Sequence, residues 1–186
     1  MSLDFVAIDF ETANPKRASV IQIGLTRILD GEVRGRVSRF VTPPPGHDRF
    51  DHFSTRVHGL TRRSLVNPLS WPDAMERLGR FADGLPLVAH AATVERSIIV
   101  QASEAHGVAP LQFRYYCSLK LAQRTLPKEP SHSLGKLSDS IGLPQFNHHD
   151  AAADAEASAM LVLEIARRLG VHSLDEMPVG WVKPVR

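Results

Sequence analysis

Two acids stand two positions apart in the run F-V-A-I-D-F-E-T, residues Phe5 to Thr12: Asp9 and Glu11. If the run is a strand, positions i and i+2 face one side. Asp9 and Glu11 then share a face with Ala7, and Ile8 and Phe10 take the other. Two ionised carboxylates this close repel, and burying them unpaired is costly. A hard divalent cation such as Mg²⁺ or Mn²⁺ takes oxygen ligands and resolves both problems. The plainer alternative is an edge strand with solvated acids, which the apolar neighbours on both sides disfavour. A second cluster reads N-H-H-D-A-A-A-D-A, from Asn147 to Ala155. Its alanines suit a helix that approaches a sheet closely, with Asp150 as N-terminal cap or first-turn acid and Asp154 near the first turns. His149 precedes Asp154 by five residues, which on one straight helix puts them on different sides; His149 therefore belongs to the entering loop. A third cluster, L-V-A-H-A-A-T-V-E-R, runs from Leu87 to Arg96. There a strand ends at His90 and Glu95 opens the following helix. Taken singly, Asp154 and Glu95 also read as helix-start acids, and His148-His149 as a polar loop.

The elements that must carry these groups follow from the pattern along the chain. Leu3 to Phe10 and Ser19 to Leu29 are apolar, β-like runs. Asp30-Gly31 is a hairpin signal, and Glu32 to Val41 alternates Val33, Val37 and Phe40 with Arg and Ser. The chain thus opens as an antiparallel meander, ended by Pro43-Pro44-Pro45-Gly46. Residues 47–70, with His47, His52 and His58, read as irregular. Ser70-Trp71-Pro72-Asp73 starts a helix whose stripe is Trp71, Met75, Leu78 and Phe81. A short strand is expected over Leu85 to His90, then a helix over Val94 to His106 with Gly107 as cap, and a strand over Phe113 to Cys117. Helices are expected over Leu119 to Leu126, Leu134 to Ile141 and Asp150 to Leu169, the last closed by Gly170. The tail, with Pro178, Gly180 and Pro184, reads as irregular. A meander followed by alternating helices and strands implies an α/β fold with helices packed on a mixed sheet.

The 186 residues suit one domain with a real core. No apolar run is long enough to span a bilayer, and the N-terminus has no signal-peptide pattern. The single cysteine, Cys117, allows no internal disulfide. These points suggest a cytoplasmic protein. The formal net charge of +2 is compatible with a polyanionic partner and equally with an ordinary solvated surface.

Together the three clusters resemble the DEDDh family of 3′–5′ exonucleases, which includes the proofreading subunit of bacterial DNA polymerase III, ribonuclease T and oligoribonuclease. Asp9-Phe10-Glu11-Thr12 matches the family's D-x-E-T. His149 to Ala155 matches H-x-A-x-x-D-A, and Ala89 to Glu95 stands where A-H-N-A-x-F-D is usual. Gln22-Ile23-Gly24, Val57-His58-Gly59-Leu60-Thr61 and Tyr116-Cys117-Ser118 are further matches, so the resemblance runs from about Phe5 to Leu169. It implies a ribonuclease H-like fold: a five-stranded mixed sheet, first three strands antiparallel, flanked by helices. It also implies two Mg²⁺ or Mn²⁺ ions held by Asp9, Glu11, Glu95 and Asp154, with His149 as general base. By the same likeness Thr12, His58, Gly59, Leu60 and His90 would receive substrate. The expected organisation is an exonuclease domain over 1–172 and an irregular tail over 173–186. The expected substrate is the 3′ end of single-stranded DNA or RNA. Proofreading, DNA repair and oligonucleotide trimming all stay open, as do a homodimer and docking to a larger DNA- or RNA-processing complex. Glu95 for Asp, Ala91 for Asn and Val94 for Phe depart from the pattern. They motivate an alternative: a weakened family member that binds nucleic-acid ends or a partner protein.

Overall fold

Asp30 and Gly31 both take positive φ, 53° and 74°, the turn hand that matches strand twist. This turn joins β2 (Val20–Leu29) to β3 (Glu32–Phe40). β1 (Phe5–Thr12) pairs antiparallel with β2 on the other side. The first strand thus runs two residues further than its apolar run suggests and includes both acids. In this computed structural model, which describes residues 2–183, β4 (Leu87–Ala89) and β5 (Tyr115–Cys117) complete the sheet. The order is β3-β2-β1-β4-β5, with β1/β4 and β4/β5 parallel. This is the mixed five-stranded sheet with an antiparallel opening that the sequence leads one to expect.

Two apolar layers cover it. On one face Val6, Ile8 and Phe10 pack with α2 (Trp71–Ala82) and α3 (Ala92–Ala105). Trp71 is fully buried and its indole N–H donates to Ser103 Oγ at 3.0 Å. On the other face Phe5 and Ala7 pack with α4 (Ser118–Thr125), α5 (Leu134–Ser140) and α6 (Ala151–Leu169). The alternation within β1 therefore holds, and the Asp9 side is the α6 side.

The sheet accepts α6 at close range because β2 carries Gly24 beneath it. A Cβ on Gly24 would fall 2.0 Å from the backbone of Ala151. Small residues Ala155 and Ala159 continue the contact face.

The stretch 47–70 is not wholly irregular. It contains α1 (His52–His58), capped by the Asp51 carboxylate at its start and by Gly59 at φ 74° at its end, and a 3₁₀ turn over Arg62–Ser64. No residue of α1 is buried, so it has no apolar stripe for a periodicity reading to find. Its legible signals were the bracketing Asp51 and Gly59.

The segment after 172 also departs from a plain tail. It forms a 3₁₀ turn over Leu174–Glu176 and then lies along β5. Gly180 C=O accepts from Cys117 N–H, and Val182 N–H donates to Tyr115 C=O. Trp181 meets Tyr116 edge to face. The outer edge of β5 is thereby covered. Pro184 and the rest of the expected tail lie outside the described residues.

Candidate active site

The C-terminal end of β1 delivers Asp9 and Glu11 to the face that α6 crosses, and a register irregularity between Glu11 and Thr12 ends the regular pairing. α6 starts at the same place. Asp150 caps it, its carboxylate accepting from Ala152 and Ala153 N–H at 3.1 Å each. Gln22, only 4% exposed, ties this start to β2. Its Nε2 donates to Asp150 Oδ2 at 3.3 Å, and its Oε1 accepts from Ala151 N–H at 3.4 Å.

Within that frame Glu11, His149 and Asp154 each offer a ligand atom, and these atoms all lie within 4.8 Å of one another. His149 occupies the loop before α6, as its spacing from Asp154 requires. Its φ is 64°, a region that non-glycine residues enter seldom. Its backbone N–H donates to Asp154 Oδ2 at 2.7 Å.

Asp9 and Glu95 lie deeper. Burial pushes Asp9 well above the usual carboxylate range, and the charges of Glu95, Asp154, Glu11 and Asp150 push it further. Asp9 is thus the point on which the other acids converge. Glu11 is pushed up to about 8, first by burial and then by Asp154 and Asp150. Asp154 is raised by burial and partly restored by the His149 N–H. Glu95 is 6% exposed and pushed up to about 7 by burial, with Arg17 drawing it partly back. Its Oε2 is buried and without a hydrogen-bond partner among the described residues. Glu95 is not one of the tight trio, yet its charge is felt at Asp9.

The remaining expected residues fall into two sets. His58, Gly59 and Leu60 lie beside the acids at the end of α1. His58 Nδ1 accepts from Leu60 N–H at 2.9 Å, which assigns the proton to Nε2, and Nε2 lies 3.2 Å from Thr12 C=O. Burial lowers the His58 pKa, and the charge of nearby His149 lowers it further. This neutral imidazole clips α1 onto the end of β1 just past Glu11. Asn14 adds a second clip, donating to the carbonyls of His47 and Arg49.

His90 is different in its surroundings. One ring nitrogen meets Ser118 Oγ at 3.1 Å and the other His132 C=O at 2.8 Å. Both nitrogens are committed to the protein, so His90 joins β4 to α4 and to the loop before α5. The residue at the site that the sequence did not single out is Gln22. Phe53 stands 71% exposed on α1, where an aromatic has no packing reason to be.

A cavity of about 550 Å³ lies away from these groups, between Arg96, Val100, Phe113 and Trp181. The acids instead gather where the C-terminal end of β1 meets the start of α6.

The model of the exonuclease family matches residues 6–162. The chain belongs to the exonuclease family. The match spans Asp9, Glu11, Glu95, His149 and Asp154, and by family the domain is an exonuclease, a phosphodiester hydrolase by class. Among curated proteins, the PolC-type DNA polymerase III of Streptococcus pneumoniae is 26% identical over 186 residues, covering 97% of this chain and 12% of the polymerase. The chain therefore spans about an eighth of that relative's length. Among solved structures, the nuclease domain of 3′hExo, a DEDDh family member bound to rAMP, superposes with a TM-score of 0.79 at 12% identity, covering 99% of this chain and 98% of that one. Exonuclease X in complex with 5′-overhanging duplex DNA gives 0.71 at 22% identity, covering 89% and 93%. These likenesses establish the fold as ribonuclease H-like. Among the described residues of this exonuclease, no helix is long and apolar enough to cross a membrane.

Proposed function

We propose that the protein is a metal-dependent exonuclease that removes nucleoside 5′-monophosphates from the 3′ end of single-stranded DNA or RNA. The convergence of Glu11, Asp154 and His149 atoms within 4.8 Å carries this reading. Carboxylates buried and crowded enough to lift Glu11 to about 8 are poorly accommodated without a cation. The partnerless Oε2 of Glu95 likewise fits a ligand in waiting. Two Mg²⁺ or Mn²⁺ ions held by Asp9, Glu11, Glu95 and Asp154 would neutralise charge on the phosphate and acidify a water.

The chain's own groups do the rest. His149, exposed at the rim, takes the proton of the attacking water on an imidazole nitrogen. Asp154 holds the histidine's backbone while facing the reacting centre. Thr12, the clipped His58 and the Gly59-Leu60 turn form the seat for the terminal nucleotide, and Phe53 offers a face for a neighbouring base. The PolC-type relatives suggest a place in a larger DNA-processing assembly, for proofreading or repair, and Cys117, buried and unpaired, accords with the cytoplasm.

The direct test is a 5′-labelled single-stranded oligonucleotide incubated with Mg²⁺, with Mn²⁺ and with chelator. We expect a ladder shortening from the 3′ end with either ion and none with chelator. Absence of cleavage with both ions would favour the weakened, end-binding alternative that Ala91 and Glu95 motivate.

Glu95 has its own test. Its backbone position serves an arm one methylene longer than aspartate's. Glu95→Asp should therefore raise the metal concentration needed for half-maximal rate by about tenfold. Metal-titrated activity measures this; an unchanged titration would remove Glu95 from the ligand set.

A further inference from the structure

The loop before α6 carries two adjacent histidines, and the function proposed above uses only His149. His148 is held in another way. Its ring lies directly over Gly135, the second residue of α5. A Cβ at Gly135 would fall 2.2 Å from His148 Cε1 and 2.4 Å from Nε2. Phe146 packs on the same ring edge to face, with centroids 4.0 Å apart. His148 Nδ1 is 3.9 Å from Asp154 Oδ1. The imidazole is thus seated on bare helix backbone and braced by an aromatic, one residue before a histidine at φ 64°. A strained backbone persists only where its surroundings over-determine it. Asp154 reaches the His149 N–H from one side; the seat of His148 supplies a second constraint.

We infer that His148 is a positioning residue: its ring, seated on Gly135 and Phe146, fixes the loop that presents His149 to the substrate. The inference rests on the reading of His149 as general base. The seat is steric, so ring shape matters more than ring nitrogen. It also requires the absence of a side chain at Gly135, although alanine is the better helix former there.

The experiment compares the parent with His148→Ala, His148→Phe, Gly135→Ala and the Gly135→Ala/His148→Ala double variant. Each is assayed for kcat and KM on the labelled oligonucleotide with Mg²⁺, below its measured melting temperature. His148→Ala should lower kcat by about tenfold or more with KM within about twofold. His148→Phe should recover most of that loss, which a general loss of folded protein would not predict. Gly135→Ala should match His148→Ala, and the double variant should be no worse than either single one, since both remove the same seat. The inference is overturned if His148→Ala keeps the parent kcat, if His148→Phe is no better than His148→Ala, or if the two single losses multiply. His149→Ala separates the levels. If it kills activity while the His148 and Gly135 variants keep theirs, only the seat is wrong. If it too leaves the rate intact, the reading of His149 as base fails.

Discussion

Asp9→Asn is expected to abolish nuclease turnover, by at least about a thousandfold, and at the same time to stabilise the metal-free protein. Both effects come from one position. Asp9 is the carboxylate on which Glu95, Asp154, Glu11 and Asp150 all press. Asparagine keeps the shape, removes the charge and gives the surrounding carboxylates a donor. The pH dependence has a definite sign. Glu11 rises from 4.5 to about 8 and Glu95 from 4.5 to about 7. The folded chain thus holds these protons more tightly than the unfolded chain does. Below about pH 4.5 both states are protonated and burial carries no charge penalty. From there to about pH 8 the unfolded chain sheds protons that the fold keeps, so stability falls as pH rises. The parent's metal-free melting temperature should therefore drop between about pH 5 and about pH 8, and Mg²⁺ or Mn²⁺ should restore it most at the alkaline end. In Asp9→Asn the drop should be shallower and the metal response largely gone. Thermal melts in chelator and in metal measure this; superimposable curves for parent and variant would show that the acids are not coupled through position 9.

His149→Ala should cost about 10²- to 10⁴-fold in kcat and change the form of the pH–rate profile. In the parent the rate should climb with pH until the base has lost its proton, then level. Without the imidazole the climb should continue, because solvent hydroxide becomes the only acceptor. Folding should be little affected, since the ring is exposed. Imidazole added to the buffer offers a second check, and a partial return of rate would show that the missing group was a proton acceptor. A variant that keeps the levelled profile would move the base elsewhere. His58 is a poor substitute, since its Nδ1 already accepts from Leu60 N–H and its Nε2 is engaged with Thr12 C=O.

The parts of this protein that could be read in advance are those where one physical rule acts alone. The alternation of β1 placed Ala7, Asp9 and Glu11 on one side because period two admits no other arrangement. The run of alanines at 151–153 announced a helix needing a close neighbour, and Gly24 supplies that neighbour. α1 stayed hidden because none of its residues is buried and its hold on β1 passes through hydrogen bonds from His58 and Asn14. The docking of 177–183 along β5 depends on Trp181 meeting Tyr116, a pairing between distant positions that local pattern does not encode. The partners of His90 were hidden for a related reason. A histidine at the end of a strand looks available for ligand until its two partners, Ser118 and His132, are brought beside it by the fold.

The site is assembled from stretches far apart in sequence: Asp9 and Glu11 lie in β1, His149 and Asp154 at the entrance to α6. That has a consequence for a protein being made. The meander of β1 to β3 can pair locally soon after it leaves the ribosome, since its strands are joined by short connections. At that moment the two early acids have neither His149 nor Asp154 beside them. Only when α6 has emerged and settled over Gly24 do the pieces of the cutting centre meet. The chemistry of the site therefore waits on one tertiary contact, the seating of α6 over Gly24, and whatever delays that contact delays the whole centre.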